Sequence, residues 1–442
     1  MTIVGLDDTD SRERGMCSTY LGVRLAEAIA EAGGRIDSLR LIRLNPAVKH
    51  KTRGNAAVAI HTDLGAADAF DLAIEAIETY AIGTDPRTSP GVVVAPHDPE
   101  DGIGAIPDPV SRFAEQALRE IHSLERAIDL VDRFGYRHRG WAAPENGTRG
   151  RGRIGALAAT GSAAAFEAWT YEHISYREFD RCGTPREVDA DSVFEAADWG
   201  YPIAWDTVDR GEGEVVCVPN APGPILHGIR GDDPDVCRAV ADRIESEPIE
   251  RSATFVTNQG TDAHLASGTI GSLRDGAGYR VDGIVASPPE TRRGGHVFFD
   301  LERADAVVRS ASGDDASVQC VAFEPTKRFR DRIRSLRVGD RLTVCGELDR
   351  GTIKLEKVAV RELIRIERTT PTCPSCDRRM SSAGRSAGYR CRNCGTTAPG
   401  KVDRPIERDL EPGWYEVPPC ARRHVAKPLI RGGFDAPIHP ER

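Results

Sequence analysis

No stretch of the sequence reaches the ~18 consecutive apolar residues of a membrane helix. The first residues, MTIVGLDDTDS, put acids where a secretory signal needs a basic end and a long apolar core. A membrane partner and a cleaved leader are therefore not expected, and a cytoplasmic location is. Lysine is scarce, with seven residues against 52 arginines. Arginine is the better fork for phosphate and carboxylate, yet a genome rich in G and C, or a salt-loving host, produces the same bias. Net positive charge is also missing: 59 basic and 68 acidic residues leave -9, which argues against a chain coated in positive charge. The balance is uneven, however. Cys373 to Arg442 holds 13 basic and 8 acidic residues, a local +5, so the other 372 residues carry 46 and 60, or -14.

What is present is ample material for cores. A hydrophobic fraction of 40% with 29% charged residues leaves little room for a disordered majority. The 442 residues exceed the ~250–300 at which a single core stops growing, so several domains are expected. Residues 2 to 6 read as a buried strand and Ser18 to Ala32 as a helix ended by Gly33 and Gly34. Strand-like runs recur at Leu39 to Leu44, Ala56 to His61 and Val92 to Ala95, with amphipathic helices near Ala66 to Ala81 and Pro109 to Phe134. A second α/β unit follows to about residue 250. From Gly278 the pattern is three strands, a basic helix (KRFRDRIRSLR) and two strands, the order of an OB-fold barrel, although other small barrels share it. No internal repeat is visible.

Of 11 cysteines, seven are scattered and read as buried thiols. The other four, Cys373, Cys376, Cys391 and Cys394, form two CxxC turns separated by fourteen residues. Each turn presents two thiolates, and two turns complete a tetrahedral Zn²⁺ site with no open position, hence a structural one; four unliganded thiols or an iron-sulfur cluster would use the same residues.

Three further clusters carry chemistry. Asp7, Asp8 and Asp10 stand just past the first strand, where crowded carboxylates repel one another unless a cation such as Mg²⁺ sits among them. The hydroxyls and free amides of Ser18 and Thr19, opening the next helix, favour an anion at the same point. A solvated acidic turn with an ordinary cap would use the same residues. Lys51 and Arg53 in KHKTRGN, with Arg43 and Asn45 in RLNP, supply positive charge suited to triphosphate oxygens, and Gly54 permits close backbone approach. In NGTRGRGRIGALAA, Arg149, Arg151 and Arg153 alternate with Gly147, Gly150 and Gly152 before a helix, a candidate RNA phosphate cradle or a solvated loop. Lys327 and Arg328 open the barrel's basic helix, which is either a further RNA contact or a solvated face.

GLDDTDS, GMCSTY, RLNP and KTRGN, followed by RGRIGALAATG, WTYEHISYR, PGPILHGIRG and TNQGTDAHL, together resemble the archaeal 2-agmatinylcytidine synthetase family, over essentially the whole chain. The resemblance implies a multidomain α+β chain: a kinase-like α/β domain (1–135), a ferredoxin-like α+β domain (136–250), an OB-fold β-barrel (251–366) and a C-terminal zinc ribbon with its tail (367–442). It implies ATP, catalytic Mg²⁺ and structural Zn²⁺, and as substrates agmatine and the isoleucine tRNA with a CAU anticodon, with no protein partner. The family joins agmatine to C2 of the wobble cytidine, position 34, so that the tRNA decodes AUA, with release of AMP and pyrophosphate. Asp7, Asp8 and Asp10 would hold Mg²⁺, with Lys51, Arg53, Gly54 and Asn55 on the phosphates. Where the family autophosphorylates a threonine, this chain has Ser18, with Thr19 next. Asp206 and Asp209 in WDTVD, beside Trp205, are candidate agmatine ligands, or part of a surface turn. The readings to be separated from this one are a non-catalytic RNA-binding protein and a small-molecule kinase with an added nucleic-acid module.

Overall fold

The computed structural model describes the chain except residues 14, 50, 52, 53, 97–105, 142–149, 304–316, 386 and 424. The first unit runs β1 (Thr2–Asp7), α1 (Ser18–Glu31), β2 (Ile36–Arg43), β3 (Ala56–Thr62), α2 (Ala66–Tyr80) and β4 (Gly91–Pro96). Its strands alternate in the sense that a sheet covered on both faces requires. Val4, Leu6, Val58, Val92 and Val94 meet α1 and α2 in one core. Ile3, Ala57, Ala59 and Val93 face the other way, toward α3 (Asp108–Gln116), α4 (Leu124–Arg133) and α5 (Arg153–Ala165). Gly5 is required here, because a Cβ would stand 2.1 Å from the Ala156 carbonyl oxygen of α5. The single helix expected over 109–134 is two: α3 ends at Ala117, and Ser123 starts α4 by accepting a hydrogen bond from the Arg126 amide.

The second unit comprises β6 (Thr170–Arg177), α6 (Ala190–Gly200), β7 (Ala204–Trp205), a small hairpin of β8 (Val208–Asp209) and β9 (Glu214–Val215), β10 (Ile225–Gly231), α7 (Pro234–Ala241) and β11 (Ile249–Thr257). The two units are not separate sheets. With β5 (Arg137–Gly140) at one edge, they form one nine-stranded sheet in the order β5-β4-β1-β3-β2-β11-β6-β10-β7. The seam is a short parallel pairing, Val256 opposite Arg40 and Thr257 opposite Leu41. Leaving aside the hairpin, each unit traces the same path, βαββαβ, with its fourth strand beside its first, so the chain carries a structural duplication that its sequence does not display. A boundary at residue 250 cuts β11, and one at 135 precedes β5 and α5, which both belong to the first unit's sheet and core.

After β12 (Leu265–Gly268) come β13 (Gly278–Val285), β14 (Glu290–Thr291), β15 (Val297–Glu302), β16 (Ser317–Ala322), α8 (Phe329–Arg334), β17 (Arg341–Asp349) and β18 (Thr352–Glu362). Pairing runs β13-β15-β16-β18-β17 and returns to β13, a closed five-stranded barrel filled by Val281, Phe299, Leu301, Val344 and Ile353. Beyond it, β19 (Ile366–Thr369) pairs with β23 (Val402–Pro405), bracketing the small sheet of β20 (Ser381–Ser382), β21 (Tyr389–Arg390) and β22 (Thr397–Ala398). The tail does not stay with these strands. Its β24 (Gly413–Glu416) adds to β18 of the barrel, and β25 (Ile438–His439) adds to β24.

His122, His173, His227 and His264 are buried in these cores, and burial, the leading cause in each case, pulls each imidazole down to about 4. Neither ring nitrogen of His227 has a hydrogen-bond partner among the described residues. Between pH 4 and the unfolded value of about 6.5 the unfolded chain binds the extra proton, so stability is complete above pH 6.5 and is lost as pH falls. His227→Phe should therefore flatten the pH dependence of urea unfolding. Wild type should lose about 2 kcal/mol more than the variant between pH 7 and pH 5, and parallel curves would exclude a buried neutral imidazole.

Candidate active site

Asp7 closes β1, and the chain then turns sharply through Asp8, whose φ of 59° lies in the left-handed region that aspartate tolerates better than most residues. The Asp8 amide donates to Asp7 Oδ1 at 2.6 Å. Asp10 Oδ1 accepts from the Ser18 amide at 2.6 Å and from Ser18 Oγ at 2.9 Å, so a carboxylate eight residues upstream caps the start of α1. Thr9 Oγ1 donates to Ser18 Oγ at 3.0 Å. A second helix start, that of α5, abuts the same turn. A Cβ at Gly155 would lie 2.0 Å from Asp7 Oδ2, and one at Gly152 would lie 2.4 Å from the Asp7 carbonyl oxygen. These glycines allow close packing on the acidic turn.

Burial raises the Asp7 carboxyl well above the usual carboxylate range, the charges of Asp8 and Asp10 push it further, and Arg151 offsets only part of this. Arg151 donates to Asp8 Oδ2 at 2.6 Å and to the Arg87 carbonyl at 3.0 Å. Three carboxylates crowd this turn, one of them buried and resisting ionisation, while Asp10 is turned onto Ser18; among the described residues the group that converges closely enough to hold a metal is that of the four cysteines.

Asp7, Asp8, Asp10, Ser18, Lys51, Gly54 and Asn55 line one open cavity of about 800 Å³. Arg151 joins them. Leu44, Val48, Ala117, Ile121 and Ile154 supply apolar wall, so one cavity offers both a charged and an apolar surface. Lys51 Nζ donates to the Pro46 carbonyl, and burial lowers its pKa. Glu120, Ile121 and His122, which also border the cavity, have no motif to mark them in the sequence; only Ile121, 65% exposed despite its size, stands out once the fold is known. A second cavity, of about 1100 Å³, lies between the two halves of the sheet and is lined by Cys17, Thr19, Arg43, Glu172, Ile174, Cys217 and Arg230. Asp10, Ser18, Gly54 and Ala56 line both. Ser18 thus stands where the cavities meet, whereas Thr19 borders only the second, its hydroxyl 3.1 Å from Cys17 Sγ.

Other expected site residues go elsewhere. Arg53 and Arg149 lie outside the described residues. Arg153 is turned onto the Gly150 carbonyl and His138 rather than into either cavity. Asp206 and Asp209 do not reach the cleft. Asp206 pairs with buried Arg422 of the tail, and Asp209, fully buried, accepts from the Cys420 and Glu212 amides and from Arg328. Ion pairs and burial under the tail engage both carboxylates in this structure. Arg328 is clamped in the same joint by Asp209, Glu212 and Glu441, and Lys327 faces Glu212 and Glu214 at 3.9 and 4.0 Å, so neither is an unengaged phosphate contact.

The four spaced cysteines converge, with Sγ atoms within 4.8 Å of one another. A tetrahedral Zn²⁺ with Zn–S bonds of about 2.3 Å needs sulfurs about 3.8 Å apart. Each CxxC forms the same turn, Asp377 N to the Cys373 carbonyl and Gly395 N to the Cys391 carbonyl, with a left-handed residue at its end.

Comparison with known proteins decides among the readings. Residues 3–70 match the TiaS TCKD domain, 150–264 the TiaS FLD domain and 370–410 the TiaS C-terminal zinc ribbon domain. The tRNA 2-agmatinylcytidine synthetase TiaS of Haloquadratum walsbyi is 54% identical over 475 residues, covering 100% of both chains. The chain belongs to the TiaS family. The TiaS of Pyrococcus horikoshii is 37% identical, with 97% of this chain and 96% of that protein covered. Among solved structures, a complex of TiaS with an isoleucine tRNA and ATP superposes with a TM-score of 0.85 at 39% identity, covering 100% of this chain and 99% of the other. A complex of TiaS with the same tRNA, AMPCPP and agmatine gives 0.83 at 37% identity over the same shares. The Cys373–Cys394 cluster of this TiaS family member is accordingly its zinc ribbon site. Among the described residues no helix is long and apolar enough to cross a membrane.

Proposed function

We propose that this chain joins agmatine to C2 of the wobble cytidine, position 34, of the CAU-anticodon isoleucine tRNA, consuming ATP to AMP and pyrophosphate, so that the tRNA decodes AUA. The observation that carries the mechanism is the wall common to the two cavities: Asp10, Ser18, Gly54 and Ala56. ATP occupies the carboxylate-lined cavity, its base against Leu44, Val48 and Ile121 and its phosphates toward Lys51, Arg151 and the starts of α1 and α5. The flipped cytidine and agmatine meet in the second cavity. Asp7, Asp8 and Asp10 would hold Mg²⁺, which when bound neutralises triphosphate charge and orients the group to be transferred. Lys51 and Arg151 offset charge on the phosphates, and Ser18, hydrogen-bonded to Asp10, is the hydroxyl placed to accept a phosphoryl group. The first unit takes the kinase-like part, the βαββαβ second unit the ferredoxin-like part, and the closed barrel, with a helix between its third and fourth strands, the OB-fold part. Barrel and ribbon grip the tRNA away from the anticodon, because the CAU loop is shared with methionine tRNAs.

The test incubates the full chain with ATP, Mg²⁺, labelled agmatine and unmodified CAU-anticodon isoleucine tRNA. Label should enter the RNA only when ATP is present. ATP turnover without tRNA and without incorporation would instead mark a small-molecule kinase, and tRNA binding with no turnover a non-catalytic RNA-binding protein.

A further inference from the structure

Arg43, at the end of β2, lines the second cavity but not the first, although its motif suggests triphosphate contact. It stands against the common wall: a Cβ on Gly54 would lie 3.3 Å from Arg43 Nη1. The residue is held firmly by its backbone. Asn258 Oδ1 accepts from the Arg43 amide at 2.8 Å, Asn258 Nδ2 donates to its carbonyl at 3.0 Å, and His264 Nε2 meets the same carbonyl at 3.1 Å. These partners come from the TNQGTDAHL motif, which contributes nothing to the carboxylate-lined cavity.

The side chain is less completely satisfied than the backbone. Arg43 Nη2 is 3.4 Å from Glu172 Oε2, and the same carboxylate also serves Arg230 Nε at 3.3 Å and Gln259 Nε2. Two guanidinium groups therefore share one carboxylate that is only 5% exposed. Arg43 Nε is buried with no hydrogen-bond partner among the described residues. A surplus positive charge and an unused donor, in the cavity that Ser18 and Asp10 also line, are matched by an anion that arrives with the substrates. The anion available there is the phosphoryl group in transit.

We infer that Arg43 is a further catalytic residue, contacting the phosphoryl oxygens as the group leaves ATP for its acceptor across the common wall. The bond from Pγ to the bridging oxygen breaks, the electron pair stays on ADP, and a new P–O bond forms to the acceptor oxygen. Release of AMP and pyrophosphate overall then takes a further cleavage of the α,β bond of ADP, its β-phosphoryl passing to the phosphate that agmatine displaces. Arg43 transfers no proton and keeps its charge, which offsets that of the equatorial oxygens. Glu172, Arg230, Gln259, Asn258 and His264 are positioning residues. The inference rests on the proposed reaction, so wild-type incorporation of labelled agmatine is established first; if wild type is inert, that reading fails and not this one.

Arg43→Met should lower kcat for incorporation by about 100-fold, with KM for ATP and affinity for tRNA within about threefold of wild type, and Arg43→Lys should recover part of the loss. Because Arg43→Met also leaves Glu172 with one cation fewer, Arg43→Met/Glu172→Gln is made in parallel. The double variant should regain thermal stability but not kcat. Recovery of kcat in the double variant would reduce Arg43 to a counter-charge for Glu172 and overturn the inference, as would Arg43→Met with undiminished kcat. If the single variant does not fold, the double variant is compared with wild type directly, and a kcat equal to that of wild type overturns the inference in the same way.

Discussion

Replacing Asp8 by asparagine should lower agmatine transfer to tRNA by about 10³-fold, a loss of about 4 kcal/mol in transition-state stabilisation, while tRNA affinity changes by less than about threefold. Asparagine is chosen because φ at this position is 59°, where Asn is tolerated. Alanine would add about 1 kcal/mol of backbone strain and blur the result. The substitution removes the carboxylate that meets Arg151 at 2.6 Å and one of the three that would hold the cation. It also removes one of the charges that raise the Asp7 carboxyl, so Asp7 should ionise at lower pH in the variant. Steady-state incorporation of labelled agmatine and filter binding of tRNA measure the two quantities. An equal loss in both would make the DDTD turn structural.

The parts of this site that could be read in the sequence are those whose geometry is local. The carboxylate cluster at a strand end and the Ser18 hydroxyl that opens the next helix line one cavity, while Thr19 borders only the second, and the two CxxC turns bring their sulfurs together. What escaped depends on distant pairing. Asn258 reaches Arg43 across 215 residues, and β11 enters the sheet beside β2 through two residue pairs that leave no local periodicity. Arg151 belongs visibly to a basic loop, but only α5 lying against β1 brings it onto Asp8. Asp206, Asp209 and Arg328 show a different limit. Composition marks a charged residue without saying whether its partner is a ligand or a buried side chain, and here the partners come from the tail and from the opposite side of the same joint.

That joint supplies a stability test. Arg422 is only 3% exposed and is bound by Asp206 and, at 2.8 Å, by Glu416 Oε1. Burial opposes its charge, yet the two carboxylates outweigh burial and hold its pKa above the usual arginine value. Arg422→Met keeps much of the apolar stem but leaves Asp206 and Glu416 buried without their cation, a defect that should cost about 3–5 kcal/mol at pH 8. The loss should be smaller at lower pH. Glu416, driven up to about 7 by burial despite Arg422, goes higher still once the guanidinium is gone. A carboxyl whose folded pKa is raised holds its proton longer in the native state, so its penalty builds between the unfolded value of 4.5 and the folded pKa and then levels off; in wild type it levels off near 7, and in the variant, with a higher folded pKa, it keeps growing above that pH. Urea unfolding at pH 6.5 and pH 8 should therefore show the gap between variant and wild type widening with pH. A gap independent of pH would mean that Glu416 does not carry the unpaired charge. Because Arg422 ties β24 to the Asp206 turn of the second unit, the same variant should release residues 419–442 to limited proteolysis before the five-stranded barrel opens. The barrel's apolar core takes Leu410, Tyr415 and Val417 from the chain before residue 419, and of residues 419–442 it meets Ala421.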